Sequence, residues 1–176
     1  MRNICLLTGC ALLAFGCATS SPPFAAVPVS RVNPRPLVKP DIDVKMNQWK
    51  TVVYANRRPN ADVVFYGLAN WRDATASAQA AGSKEVSMVF VFDGPSLPLM
   101  LNDAAFDRVM GTHGGNPWKS LIADLQKGGA SVECCGNRMQ ELGVGNADLL
   151  PGVKVDSDGW SRVLELQSKG YGLFQT

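Results

Sequence analysis

The sequence predicts an α/β domain built on a mainly parallel five-stranded sheet with helices on both faces. Strand-like and helix-like segments alternate from about residue 46 to the C-terminus in the order βαβαβαβαβ, the pattern of parallel strands joined by crossover helices. Glu85 to Phe92 (EVSMVFVF) is almost continuously apolar, as a strand covered on both faces has to be. The helical stripes run into glycines at Gly82, Gly128 and Gly170, where a helix can stop and the chain turn back toward the sheet.

Each element has its own warrant. Trp49 to Tyr54, centred on Thr51, Val52 and Val53, is a β-branched run and reads as the first strand, with Pro59-Asn60 as the turn after it. Over residues 61 to 80, Val64, Leu68, Trp71, Thr75 and Ala78 recur at steps of three and four, which predicts a long helix. Glu85 to Phe92 follows as a strand and ends at Asp93-Gly94-Pro95. Leu97 to Met110 is apolar without clear period and reads as one or two short helices broken at Asn102-Asp103. Asn116-Pro117-Trp118 opens a clearer helix, with Asn116 as N-cap and Leu121, Ile122 and Leu125 on the apolar face.

Ala130 to Cys134 is the next strand, and Asn137 with Gln140 forms a capping-box-like start to a helix near Met139 to Leu142. Val153 to Val155 is a short strand. Trp160, Val163, Leu164 and Gln167 trace the face of the last helix, and Tyr171 to Phe174 closes the sheet.

The run VECCGNRM sets Cys134 and Cys135 between a buried strand and a helix start. Unpaired backbone N–H groups at a helix N-terminus lower a thiol pKa and make the sulfur more nucleophilic. The competing reading is two small buried hydrophobes closing a strand. Strand alternation sends the two side chains to opposite sides, which assigns Cys134 to packing and Cys135 to a pocket. Adjacent cysteines are also poorly spaced for a mutual disulfide. Ligands and chemistry in parallel sheets gather at the carboxyl ends of the strands, where both Asp93-Gly94 and Cys135-Gly136 fall. Neighbouring strands would bring them into one pocket, with Gly94 permitting a tight turn or close approach of a ligand.

The N-terminus carries an address. Arg2 precedes an apolar stretch, Ile4 to Phe15, too short for a comfortable membrane span, and residues 1–17 read as an export signal. Its end, Ala14-Phe15-Gly16-Cys17, resembles a lipobox, with Cys17 as the lipidated residue; Leu7-Thr8-Gly9-Cys10, cleavage after Ala18 and an uncleaved anchor are the alternatives. Residues 18–45, rich in Pro, Ser and Val, read as a tether, and residues 46–176 as the domain. The expected location is periplasmic, lipid-anchored to the outer membrane. Of five cysteines, Cys5 and Cys10 leave with the signal and Cys17 is acylated, so Cys134 and Cys135 face an oxidising compartment as thiols.

A length of 176 residues with 46% hydrophobic content suits one domain with a real core. The net charge of +2 is spread without a basic block, which gives no support to nucleic acid or an acidic membrane surface as partner. His113, the single histidine, lies in a Gly-rich stretch with no spaced cysteines, so no metal site is expected, and the glycine turns lack a nucleotide-binding spacing. No cofactor is expected.

The segments VFVFDGPSL, NPWKSLIADLQKGGA, VECCGNRM, ADLLPGVKV and LELQSKGYGLF together resemble the DsrE/DsrF family of small α/β proteins of sulfur oxidation and sulfur relay. The resemblance runs from about Trp49 to Phe174. It implies a three-layer α/β/α fold, a homo-oligomer, and a cysteine that carries sulfur as a persulfide between donor and acceptor proteins. By the motif that cysteine is Cys135, before Gly136 and Asn137, and Cys134 is extra. The binding residues expected around it are Gly94, Asp93, Asn137 and Cys134. Relatives often carry histidine before the glycine where this chain has Asp93, and a carboxylate there opposes a nearby thiolate. Two functions follow: a persulfide carrier acting through Cys135, or a non-catalytic binding or assembly module of the same fold.

Overall fold

The computed structural model describes residue 39, residues 41–58, residue 71 and residues 73–175. The export signal over residues 1–17 with Cys17, most of the stretch 18–45, the turn at Pro59-Asn60 and most of the helix expected over residues 61 to 80 lie outside the described residues. The compact unit spans Asp41–Thr176.

Strands β1 (Gln48–Ala55), β2 (Glu85–Phe92), β3 (Ser131–Cys135), β4 (Lys154–Asp156) and β5 (Gly172–Gln175) form a single sheet. Its order is β4-β3-β2-β1-β5, and every neighbouring pair is parallel. Among the described residues the helices are α1 (Ala74–Ala80), α2 (Asp103–Met110), α3 (Lys119–Lys127), α4 (Gly136–Glu141) and α5 (Gly159–Ser168), with 3-10 turns at Gly94–Met100 and Asn146–Asp148. This is the three-layer α/β fold that the alternation predicts.

Alternation along the strands divides the core in two. Val53, Ala55, Met88, Phe90, Phe92, Val132 and Cys134 point to one face, where residues of α1 to α4 cover them. Val52, Tyr54, Val89 and Val91 point to the other, where Val163 and Leu166 of α5 cover them. Phe90 and Phe92 are fully buried, and each such side chain stabilises the fold by about 2 to 3 kcal/mol.

Three local expectations are corrected. The helix after Asn116 begins at Lys119, because the Asn116 side chain is spent elsewhere: its Nδ2 donates to the Leu99 and Leu101 carbonyls at 2.9 and 2.7 Å, and its Oδ1 accepts from the Trp118 N–H at 2.9 Å. Asn116 thereby stitches the 3-10 segment to α3 while fully buried. Asn137 is not a cap; α4 starts at Gly136, and the Asn137 side chain donates to Asp158 at 3.2 Å. On α5 the buried stripe is Gly159, Val163 and Leu166, while Trp160 and Leu164 are half exposed, because the helix is rotated to seat Val163 on β1 and β2.

Gly136 permits the close approach of two strand ends. A Cβ there would stand 2.7 Å from the Asp156 carbonyl oxygen and 3.3 Å from Val155 Cγ1. The first contact is with backbone, so Gly136→Ala is expected to cost about 2 kcal/mol by overpacking, measured as a lower denaturation midpoint in urea.

Candidate functional site

The register makes the carboxyl ends of β2, β3 and β4 converge. Phe92 pairs with Cys134 and Cys135 with Asp156, so Asp93, one residue beyond β2, falls beside Cys135. The helix that returns from β4 closes the site from above: a Cβ on Gly159, at the start of α5, would lie 3.2 Å from Cys135 Cβ and 3.3 Å from Asp93 Cβ. The bare Gly159 is what lets the three residues meet.

Asp93 is held from two sides. Its Oδ2 accepts from the Tyr54 hydroxyl at 2.7 Å, and its Oδ1 accepts from the Gly94 N–H at 2.6 Å in a turn where Gly94 takes φ +51°. The Tyr54 ring packs at 5.6 Å between centroids against Trp160, which is 51% exposed. Burial first, and then the hydrogen bond to Asp93, push the Tyr54 phenol well above its ordinary range, so Tyr54 remains a donor at every physiological pH.

Strand alternation separates the two cysteines as expected. Cys134 is fully buried in the main core with its thiol directed at the Met139 sulfur, 3.5 Å away. Burial, with the charges of Asp156 and of Cys135 adding to it, pushes its thiol up to about 12. Cys135 is on the α5 side and is 5% exposed. Burial raises its thiol pKa most; the backbone N–H groups of Gly159 and Arg138 pull it down, and the charge and hydrogen bonding of Asp93 push it up again. The net direction is upward, so the resting site holds a neutral thiol. Both sequence readings of the pair hold in part: backbone N–H groups act on the Cys135 sulfur, and both cysteines are buried.

Further acidic groups close on this point. Glu133, on β3 two residues before Cys135, is buried and paired with Arg162 of α5 at 2.7 Å and 3.1 Å, and Arg162 also reaches Glu165 at 2.8 Å. Asp158 caps α5 by accepting from the Ser161 N–H at 2.8 Å, and that bond lowers its pKa. Both carboxyl oxygens of Asp156 are shielded from solvent and have no hydrogen-bond partner among the described residues. Burial, followed by the charges of Glu133 and Asp93, pushes the Asp156 carboxyl up to about 7. A groove of about 530 Å³ runs alongside, lined by Glu133, Lys154, Asp156, Ser161, Arg162 and Glu165. Among the described residues no group of three or more His, Cys, Asp and Glu side chains is arranged to hold a metal ion.

Raising Asp156 has a consequence for stability. With its folded-state pKa above the unfolded value, the folded chain holds the extra proton between about pH 4 and pH 7, so folding stability falls as pH rises through that interval. Asp156→Asn is therefore expected to leave stability nearly unchanged at pH 4 and to raise it by roughly 1 to 2 kcal/mol at pH 8, after discounting for partial solvent screening. Urea unfolding at the two pH values checks this.

Of the residues the sequence singled out, the structure brings Cys135 and Asp93 together, with Gly94 in the adjoining turn and Asn137 linked to Asp158. Cys134 lies on the opposite face, and His113 is exposed in its loop. Arg138 pairs with Glu141 at 2.5 Å. Tyr54, Asp156, Gly159 and Arg162 were missed. Asp156 and Tyr54 each stand at or beside a strand's carboxyl end, the one signal that would have found them.

No known family pattern and no curated protein matches the sequence. The fold does have solved counterparts. A protein of unknown function, MTH1491 from Methanobacterium thermoautotrophicum, is similar with a TM-score of 0.58 and 19% identity, over 72% of this chain and 99% of that one. The ychN protein from E. coli is similar with a TM-score of 0.52 and 14% identity, over 73% of this chain and 99% of that one. At these identities the likeness is one of fold.

Proposed function

We propose that this chain is a DsrE/DsrF-like sulfur carrier that takes a sulfane sulfur on Cys135 as a persulfide and hands it to an acceptor protein. One observation carries the reading: Cys135 ends a central parallel strand on the face away from the main core, beside backbone N–H groups of Gly159 and Arg138 that favour an anionic sulfur. The motif resemblance and the shared α/β fold support it. In the loading step the Cys135 sulfur attacks the outer sulfur of a donor persulfide. The new S–S bond forms as the donor's S–S bond breaks, the donor leaves as a thiolate, and the proton from Cys135 ends on that thiolate; no net oxidation occurs. Asp93, adjacent to the thiol, is the group suited to receive the proton in transit.

The reading includes export, acylation at Cys17 to hold the domain at the periplasmic face of the outer membrane, and assembly into a homo-oligomer. A second reading, a non-catalytic binding or assembly module, is favoured by the neutral state that burial and Asp93 impose on Cys135.

Peptide mapping by mass spectrometry, after incubating the folded protein with a low-molecular-mass persulfide, separates the two. The carrier reading expects added sulfur on Cys135, none on Cys135→Ser, and undiminished loading of Cys134→Ser. A folded protein whose Cys135 stays unmodified supports the module instead.

A further inference from the structure

The geometry points to Asp156 as the residue that sets the pH range in which Cys135 reacts. This rests on the reading of Cys135 as the reacting thiol. Asp156 is the direct register partner of Cys135 across β3 and β4, and its carboxyl oxygens are enclosed with no hydrogen-bond donor among the described residues. An ionised carboxylate without a donor is costly to enclose, which favours the neutral form.

The charges around it are mostly negative. From the end of β2 comes Asp93, itself bound to Tyr54 of β1; from β3 come Glu133 and, in register, Cys135, while the Asp156 charge also reaches Cys134; from the α5 cap comes Asp158. Arg162 of α5 is the facing cation, and its guanidinium is already divided between Glu133 and Glu165. Lys154, on β4 itself, directs its ammonium to the Ser131 hydroxyl at 3.1 Å. When Asp156 loses its proton, a new negative charge therefore appears at the register partner of Cys135, and Arg162, shared with Glu133 and Glu165, offsets only part of it. The thiolate becomes harder to form at the same moment that rising pH would otherwise favour it. Burial and the neighbouring carboxylates put this change near neutral pH.

Two coupled titrations give a particular signature. In the native protein the rate of Cys135 alkylation should climb with pH, flatten around neutrality as Asp156 ionises, and climb again. In Asp156→Asn the middle flattening should vanish. The test is the rate of iodoacetamide modification of Cys135, followed by peptide mapping on the full chain. The ratio of Asp156→Asn to native rates should be close to unity at about pH 5.5 and rise to about 3- to 10-fold at about pH 8.5.

A ratio that is the same at every pH would reduce Asp156 to a packing residue and overturn the inference. The Asp156 carboxyl carbon, followed by NMR, should titrate near 7, and a midpoint in the ordinary aspartate range would also overturn it. A Cys135 that alkylates with the expected profile but accepts no sulfane sulfur refutes the carrier and upholds the coupling. One that alkylates at no pH refutes both.

Discussion

Asp93→Asn should accelerate alkylation of Cys135 at neutral pH by about tenfold. The thiol is kept neutral chiefly by burial, and after the opposing backbone N–H groups the largest remaining influence is the Asp93 carboxylate. The amide removes that charge and keeps the volume, and its oxygen still accepts the Tyr54 hydroxyl that the carboxylate accepts at 2.7 Å. Its amide nitrogen then faces the Gly94 N–H that the carboxylate accepts at 2.6 Å, so that bond is lost together with the charge while the side-chain volume is kept. Burial persists, so the thiol should titrate lower than in the native chain without falling below an unperturbed cysteine. The pH dependence of the iodoacetamide rate measures this; an unchanged rate would mean that Asp93 does not govern the thiol. If Asp93 also conducts the proton during loading, the same variant should alkylate faster yet load persulfide no faster, a split that burial alone does not produce.

Arg162→Ala should destabilise the domain by about 3 kcal/mol. Glu133 is buried, and Arg162 meets it through two N–H groups at 2.7 and 3.1 Å while reaching Glu165 with a third. Removing the guanidinium strands a carboxylate on the sheet face two residues from Cys135, and the desolvation cost of that charge dominates. Arg162→Lys should recover only part of the loss, because an ammonium does not reproduce the paired fork. Replacing both Glu133 and Arg162 with leucine should come close to the native stability, since no uncompensated charge remains. Denaturant midpoints of the single and double variants measure the set; equal losses in the single and double variants would contradict the pairing argument.

The parts of the fold that depend on local pattern were legible in the sequence. EVSMVFVF announced β2 to the residue, and Asn102-Asp103 marked the break between the 3-10 segment and α2, where Asn102 now caps α2 through the Ala105 N–H at 3.0 Å. Period-two alternation was enough to send Cys134 into the core and Cys135 to the α5 side. What depended on tertiary geometry was not legible. The rotation of α5 is set by where Val163 meets β1 and β2, so Trp160 and Leu164 could not be assigned to the outside from helical spacing alone. Asn116 looks like a helix cap in sequence and instead ties together two loops, because its side chain finds the Leu99 and Leu101 carbonyls first. The candidate site was half visible: Asp93 and Cys135 could be paired once β2 and β3 were neighbours, whereas Tyr54 and Asp156 required the strand order.

That same strand order explains how the site handles charge. The carboxylates of Asp93, Glu133, Asp156 and Asp158 belong to segments far apart in sequence and converge only because β4, β3 and β2 are adjacent. At Cys135 burial suppresses the thiolate most, the backbone N–H groups of Gly159 and Arg138 favour it, and the Asp93 carboxylate opposes it again.

In the proposed carrier, sulfur passes through Cys135 and through no other cysteine of the domain. The direct measurement loads the folded protein with a persulfide donor, removes the donor, adds an acceptor thiol, and follows the sulfane sulfur on each cysteine with time. Sulfur should appear on Cys135, leave it on addition of the acceptor, and never appear on Cys134. Sulfur that stays on Cys135 in the presence of the acceptor, or that loads equally on Cys135→Ser, would contradict it.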